Sequence, residues 1–285
     1  RDGVIKWVIK LGKGNHIETV YIPEKERGTL CISSQVGCAL ACTFCSTGVQ
    51  GFNRNLKSHE IIAQVLIAQN YLKKKDKRIS NVVFMGMGEP LLNESAVYDA
   101  CELLLDDWAF GLSRRKVTVS SSGIVPALYR MADTIPVSLA ISLHAPSDEL
   151  RDVLVPINKK YPIKELMKAC QYYLNSGTQE RHIFFEYVML DGVNDLPEHA
   201  KSLARLLKGI SAKVNLIPFN PFPKTQYQTS KEVTINEFQN ILYRSGIRTT
   251  TRRTRRDDVD AACGQLAGKV LDKSRRNVGR HQLLS

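Results

Sequence analysis

Cys38, Cys42 and Cys45 lie within eight residues (Cys-Ala-Leu-Ala-Cys-Thr-Phe-Cys), in a short turn-rich stretch just after the apolar-leaning run Thr29–Ser34. A zinc site closed by protein takes four ligands, and zinc frameworks typically come as paired Cys-x2-Cys units. Here three thiols stand together with no local fourth. That pattern suits a 4Fe–4S cluster held through three irons, with the fourth iron open to a small ligand. The alternatives are three core cysteines, or a zinc site completed by a distant His or Cys. Crowding of three thiols into one loop counts against plain burial.

A second chemical stretch is Gly86-Met87-Gly88-Glu89-Pro90, just past a strand-like run. Glycine lets the backbone approach a ligand closely and adopt positive φ, and the neighbouring acid can pair with a ligand ammonium. A tight strand exit would explain the glycines equally well. Two further cysteines stand apart from the triplet. Cys31 in a strand reads as a small buried hydrophobe, whereas Cys263 sits among small residues (Ala261-Ala262-Cys263-Gly264) where access is good. Cys101 and Cys170 fall on helices beside apolar residues and read as packing. Glu18 lies in a strand, ordinarily a solvated outward position, and His144 alone would be a satisfied core histidine.

These residues are positioned by a repeating order of strand then helix. Residues 4–11 and 16–22 are β-rich around Gly12–Asn15 and form a hairpin. Strands follow at 29–34, 80–86, 116–121, 136–143, 182–190 and 213–217, with helices at 58–75, 93–107, 124–132, 163–175, 196–208 and 234–245. Ser58 and Asn93 are the expected helix N-caps, and Ile61, Ile62, Val65, Leu66, Gln69 and Leu72 the buried face of the first helix. Near-continuous apolar strands alternating with helices imply a parallel sheet covered on one face or both. Six such units fit an α/β partial (β/α)6 barrel with a short N-terminal β-hairpin extension; a doubly wound open sheet is the competing architecture. In both, ligands bind at the C-terminal ends of the strands. Cys38–Cys45, Gly86–Pro90, Ser120, Ser142–His144 and Asn220 all collect there.

The chain has 285 residues, 43% of them hydrophobic, enough for one large core or two small ones. Its net charge of +12 and pI near 9.4 make a polyanionic partner plausible. Seven cysteines, an odd number, without an export signal read as reduced thiols of a cytoplasmic protein. No apolar run approaches the ~20 residues of a membrane span. The run Ile247–Thr251 leads into Arg252, Arg253, Arg255 and Arg256, where phosphate contact and a solvated charged surface are both open readings.

The motifs resemble those of the radical S-adenosylmethionine (SAM) enzymes, specifically the adenine-C2 RNA methyltransferases of dual ribosomal and transfer RNA specificity. The resemblance is carried by Val36–Gly48, Gly51–Leu56, Phe84–Pro90, Ser142–Pro146 and Asp260–Leu266, in the family's order from about Glu18 to Gly268. It implies a division into hairpin (1–25), barrel with catalytic C-terminal loop (26–268) and basic tail (269–285). The family's helical accessory domain would precede this segment and is not expected within it. Cys38, Cys42 and Cys45 would ligate one 4Fe–4S cluster. Gly88 and Glu89 would meet the amino group of SAM, with Ser120, Ser142, Leu143, His144 and Asn220 completing its pocket.

The resemblance further implies two SAM molecules per turnover. One methylates Cys263; the other is cleaved to a 5′-deoxyadenosyl radical that activates that methyl for addition to C2. Cys31 then resolves the covalent RNA–enzyme intermediate and leaves a Cys31–Cys263 disulfide, with Glu18 or Cys31 assisting removal of the C2 proton. Expected partners are 23S ribosomal RNA and transfer RNA, a flavodoxin-like electron donor and a thiol reductant, with the protein a monomer away from membranes. The alternatives are the related adenine-C8 methyltransferase of antibiotic resistance, a non-catalytic metal-containing RNA-binding protein, and a radical SAM enzyme of small molecules.

Overall fold

The computed structural model describes residues 3–176, 182–223 and 225–252. The chain divides into two compact units, one running through Ser120 and the other beginning at Ser121.

In the first unit, β1 (Ile5–Lys10) and β2 (His16–Pro23) form the expected hairpin around a 3-10 turn at Gly12–Gly14. β2 is also the antiparallel partner of β3 (Gly28–Cys31), so the hairpin extends the sheet. The chain then makes a small ribbon, β4 (Gln35–Gly37) against β5 (Phe52–Asn55), which brackets the cysteine loop and the five-residue α1 (Ser46–Gln50). Next come α2 (Ser58–Lys73), β6 (Asn81–Phe84), α3 (Glu94–Leu105) and β7 (Val117–Ser121). β3, β6 and β7 run parallel.

The buried residues of α2 are Ile61, Ile62, Gln64, Val65, Ala68 and Leu72. Leu66 and Gln69, expected in the core, are exposed. The reason is a polar one: the Gln64 amide accepts from Thr19 Oγ1 (2.6 Å) and Ser33 N (2.8 Å) and donates to the Ser33 carbonyl (2.8 Å). Of the two expected N-caps, Ser58 is corrected and Asn93 holds by position. Ser58 is the first helical residue, and the Glu60 carboxylate accepts the Lys57 N–H (2.9 Å) while pairing with Arg54. Asn93 occupies the cap position of α3, yet its side chain donates to the carbonyls of Ser34 (2.9 Å) and Leu56 (2.8 Å).

The second unit holds α4 (Val125–Thr134), β8 (Ser138–Ser142), α5 (Asp148–Leu154), α6 (Ile163–Asn175), β9 (Ile183–Met189), α7 (Pro197–Leu206), β10 (Ala212–Pro218), α8 (Glu232–Arg244) and β11 (Arg248–Thr251). β8, β9, β10 and β11 are parallel neighbours in that order. Alternation along β9 separates two faces. Tyr187, fully buried between Phe185 and Met189, stacks on Phe238 of α8 at 5.2 Å, while Phe184, Glu186 and Val188 point the other way. α5 was not legible from apolar spacing, because only Arg151 and Leu154 of its seven residues are buried.

Candidate active site

β3 stops at Cys31, and the next residues are sewn to the loop after β6. Gly86 N donates to the Ile32 carbonyl (3.0 Å), Ser34 N to the Met87 carbonyl (2.9 Å) and Met87 N to Ser33 Oγ (2.9 Å). Gly88 has φ +104°, and a Cβ there would lie 2.5 Å from Gln35 Cβ, so both backbone shape and space demand glycine. Gln35, fully buried, links the two loops. Its Oε1 accepts from Glu89 N (3.0 Å) and Ala39 N (3.3 Å), and its Nε2 donates to Asn55 Oδ1 (2.8 Å). Glu89 is itself buried and caps the 3-10 turn Pro90–Leu92 by accepting from Leu91 N (3.1 Å).

The cysteine loop therefore leaves a rigid frame. Cys38 N donates to the Gly51 carbonyl (2.8 Å) and Cys45 N to the Cys42 carbonyl (3.2 Å), closing the loop at both ends. Cys38 is buried, and Cys42 and Cys45 are half-buried. Burial holds the Cys38 thiol well above its ordinary range, and Cys45 and Cys42 push it the same way. Burial also raises Cys45, against the lowering effect of the Gly48 and Thr47 N–H groups.

Strand register places three more expected site residues on one face. Val20 pairs with Cys31, Cys31 with Val83 and Val83 with Thr118. Side chains alternate along each strand and registered neighbours share a face. Glu18, Cys31 and Ser120 consequently share the face of this sheet opposite Thr19, which faces α2. Glu18 is buried and ion-paired with Lys6 Nζ at 3.4 Å. Cys31 and Ser120 are each 9% exposed.

In the second unit, Ser142, Leu143 and His144 form the turn leaving β8. His144 adopts φ +60°, and its Nδ1 accepts the Val188 N–H (3.0 Å). Burial lowers its pKa to about 3, with the Arg151 charge adding to the effect. It is a neutral imidazole whose proton sits on Nε2. Arg151, fully buried, donates to the carbonyls of Leu143 (3.1 Å), Ser142 (3.1 Å) and Ser122 (2.7 Å) and to Asn158 Oδ1 (2.8 Å). Asn194 Nδ2 holds the His144 carbonyl at 2.9 Å. Asn220, half-buried, follows β10. On the same face as Ser142, Glu186 accepts from Asn215 Nδ2 (2.8 Å), and burial raises its pKa.

Comparison with known proteins identifies the family. Residues 32–207 match the model of the Radical SAM superfamily. The chain is 73% identical over 279 residues to the dual-specificity RNA methyltransferase RlmN of Ruthia magnifica subsp. Calyptogena magnifica, covering 98% of this chain and 78% of that protein. The RlmN of Vesicomyosocius okutanii subsp. Calyptogena okutanii (strain HA) is 72% identical over 281 residues, covering 98% and 79%. The crystal structure of a radical SAM methyltransferase from Sphaerobacter thermophilus superposes with a TM-score of 0.89 at 44% identity, covering 92% of this chain and 77% of that one. The chain belongs to the RlmN family of radical SAM methyltransferases.

Its fold is accordingly the partial (β/α)6 barrel of that superfamily, and its cofactors are SAM and a 4Fe–4S cluster. The residues of this RlmN-family chain fit the cluster. Three thiols stand in one loop, Cys42 and Cys45 close enough to raise the pKa of Cys38, with Leu40 N donating to Cys38 Sγ (3.4 Å). Among the described residues no three His, Cys, Asp or Glu side chains converge on a single ion, and a cluster does not require it, since each thiolate takes its own iron.

Cys101 and Cys170 are fully buried, as expected for packing, and burial raises the Cys170 thiol to about 12. Cys263 and Arg253–Arg256 lie outside the described residues. Among those described, no helix is long and apolar enough to cross a membrane. Sequence reasoning missed Gln35, Gln64, Asn93 and Arg151, each of which holds a site loop; the only trace was a polar residue inside an apolar stretch.

Proposed function

We propose that the protein methylates C2 of adenine in 23S ribosomal RNA and in transfer RNA through Cys263, with Cys31 as the resolving thiol and Glu18 as the acceptor of the C2 proton. The observation that carries this reading is the register that puts Glu18 and Cys31 on one face of the β2–β3 pair, with Cys31 seven residues before the first cysteine of the cluster loop. Cys38, Cys42 and Cys45 would hold the cluster. Gly88 and Glu89 are assigned to the amino group of SAM, and Ser120, Ser142, Leu143, His144 and Asn220 to its other polar groups.

An aromatic C2–H is a poor nucleophile, so direct polar transfer of a SAM methyl is disfavoured. The cluster and the SAM bound on it would supply the one-electron chemistry that takes a hydrogen atom from a methyl carbon carried by the protein and so activates it. Cys263 Sγ accepts that methyl from another SAM in a displacement and keeps it as a thioether. The activated carbon bonds to C2. Glu18 takes the C2 proton, with return of the electron used in activation. The Cys31 thiolate then attacks Cys263 Sγ, and the carbon leaves with a proton as a methyl group on the RNA. The disulfide that remains is reduced by a thiol donor.

Mass spectrometry of protein purified without oxygen from SAM-replete cells tests the route. The expected result is a methyl group on Cys263, trapped there in the Cys38→Ala variant. An unmodified Cys263 in protein that binds iron and SAM would refute the two-cysteine route.

A further inference from the structure

Trp108 is 99% exposed, a large aromatic ring that the chain does not use for packing. It sits on the loop after α3, held by its own N–H donating to Asp106 Oδ1 (2.7 Å). Phe110 and Leu112 of the same loop line a cleft of about 510 Å³ together with Lys73, Lys77 and Arg78. Parallel register of β6 with β7 brings the residues before each strand side by side, so Arg114–Lys116 flank the same region. Residues 73–78 contribute five cations and one carboxylate, and residues 106–116 three cations and two carboxylates. All eight cations are exposed, and among the described residues none is in a salt bridge. This surface lies at the N-terminal ends of β6 and β7, whereas Gly88 and Glu89 follow the C-terminal end of β6.

We infer that Trp108 and the cations of residues 73–78 and 114–116 form a second RNA-docking surface, which grips the substrate away from the reacting adenine. The inference rests on the RNA methyltransferase reading above. Single-stranded nucleic acid is held by phosphate-tracking cations and by aromatic rings on which bases stack, and both elements are side by side here. A cationic surface for a protein electron donor would belong near the cluster; this one stands at the opposite end of the strand, roughly 13 Å of backbone away.

The chain has two tryptophans, Trp7 and Trp108, so Trp7→Phe leaves Trp108 as the sole indole. In anaerobically reconstituted Trp7→Phe protein, iodide should quench Trp108 freely, and an unlabelled RNA stem-loop should both quench its emission and shield it. Anisotropy with the same stem-loop, fluorescein-labelled, should show Trp108→Ala binding about 10-fold more weakly. The double variant Arg114→Glu/Arg115→Glu should flatten the log affinity against log salt slope by about 1.4, near 0.7 for each single-strand phosphate that is no longer neutralised. SAM affinity should stay unchanged in both variants and so report an intact fold.

Trp108 emission indifferent to saturating RNA, or already shielded from iodide without RNA, would overturn the inference. So would unchanged RNA affinity with slower reduction of the cluster by a reduced flavoprotein, which would assign the surface to the electron donor. Salt-dependent RNA binding by a wild-type protein that transfers no methyl would count against the proposed activity and leave this surface standing. Equal RNA binding by wild type and variants would do the reverse.

Discussion

The loop carrying Gly88 and Glu89 and the loop carrying Ser142–His144 are held in place by different electrostatics. In the first unit the frame is neutral: Gln35, Ser33, Gln64 and Asn93 distribute amide and hydroxyl hydrogen bonds among backbone groups. Glu89, the acid of that loop, is positioned through its backbone N–H by the Gln35 amide. In the second unit the frame is a buried guanidinium, Arg151, satisfied by three carbonyls and one amide oxygen. Its charge helps keep His144 neutral. A neutral frame supports an acidic site residue, and a charged frame supports a neutral one.

The largest expected effect comes from breaking the charged frame. Arg151→Met leaves the Ser142, Leu143 and Ser122 carbonyls without their donor in a buried setting and should cost about 4 kcal/mol of stability. Arg151→Lys keeps the charge but cannot reach four acceptors with a fork, so its loss should be intermediate. Urea unfolding measures both, and equal stability of Met and wild type would remove Arg151 from its assigned role. In the neutral frame, Gly88→Ala meets Gln35 at 2.5 Å and forces alanine to φ +104°. It should cost about 3 kcal/mol and weaken SAM binding as well, which isothermal titration would show.

Much of this arrangement was legible in the chain. The six strand–helix repeats, the cysteine loop and the positions of Gly88 and His144 after strands follow from apolar runs and punctuating glycines. The frame was not. Gln64 breaks the apolar stripe of α2 and shifted the expected buried face toward Leu66, because its partners Thr19 and Ser33 are remote in sequence. Asn93 is the N-cap of α3 by position, but its side-chain partners, Ser34 and Leu56, are 59 and 37 residues away and leave no local signal. Arg151 falls outside every expected element, because α5 buries only two of its seven residues and carries no apolar period. Periodicity reports apolar burial, and long-range polar satisfaction leaves no period.

His144 gives a pH test of the charged frame. Its folded pKa of about 3 lies below the unfolded value near 6.5, so the unfolded chain binds the proton first. Its neutral form contributes fully above about pH 6.5, and stability is lost as pH falls from there toward about 3. At pH 5 the loss should be about 2 kcal/mol relative to pH 7.5. His144→Gln should be missing that share when urea midpoints are compared across the range. A wild type and His144→Gln with parallel pH profiles would show that the imidazole is free to protonate in the folded protein.

The smallest effect probes the neutral frame where it should be insensitive to pH. Thr19→Val keeps the shape of the side chain and removes the hydroxyl that donates to Gln64 Oε1 at 2.6 Å. Gln64 Oε1 still accepts the Ser33 N–H, so no buried acceptor is stranded. The loss should be about 1 kcal/mol, one neutral hydrogen bond. Because neither partner titrates, urea midpoints of this variant should run parallel to the wild type from pH 5 to 8, unlike those of His144→Gln. A Thr19→Val penalty that grew toward acid pH would mean that a charge is coupled to the Gln64 network, and the contrast between the two frames would fail.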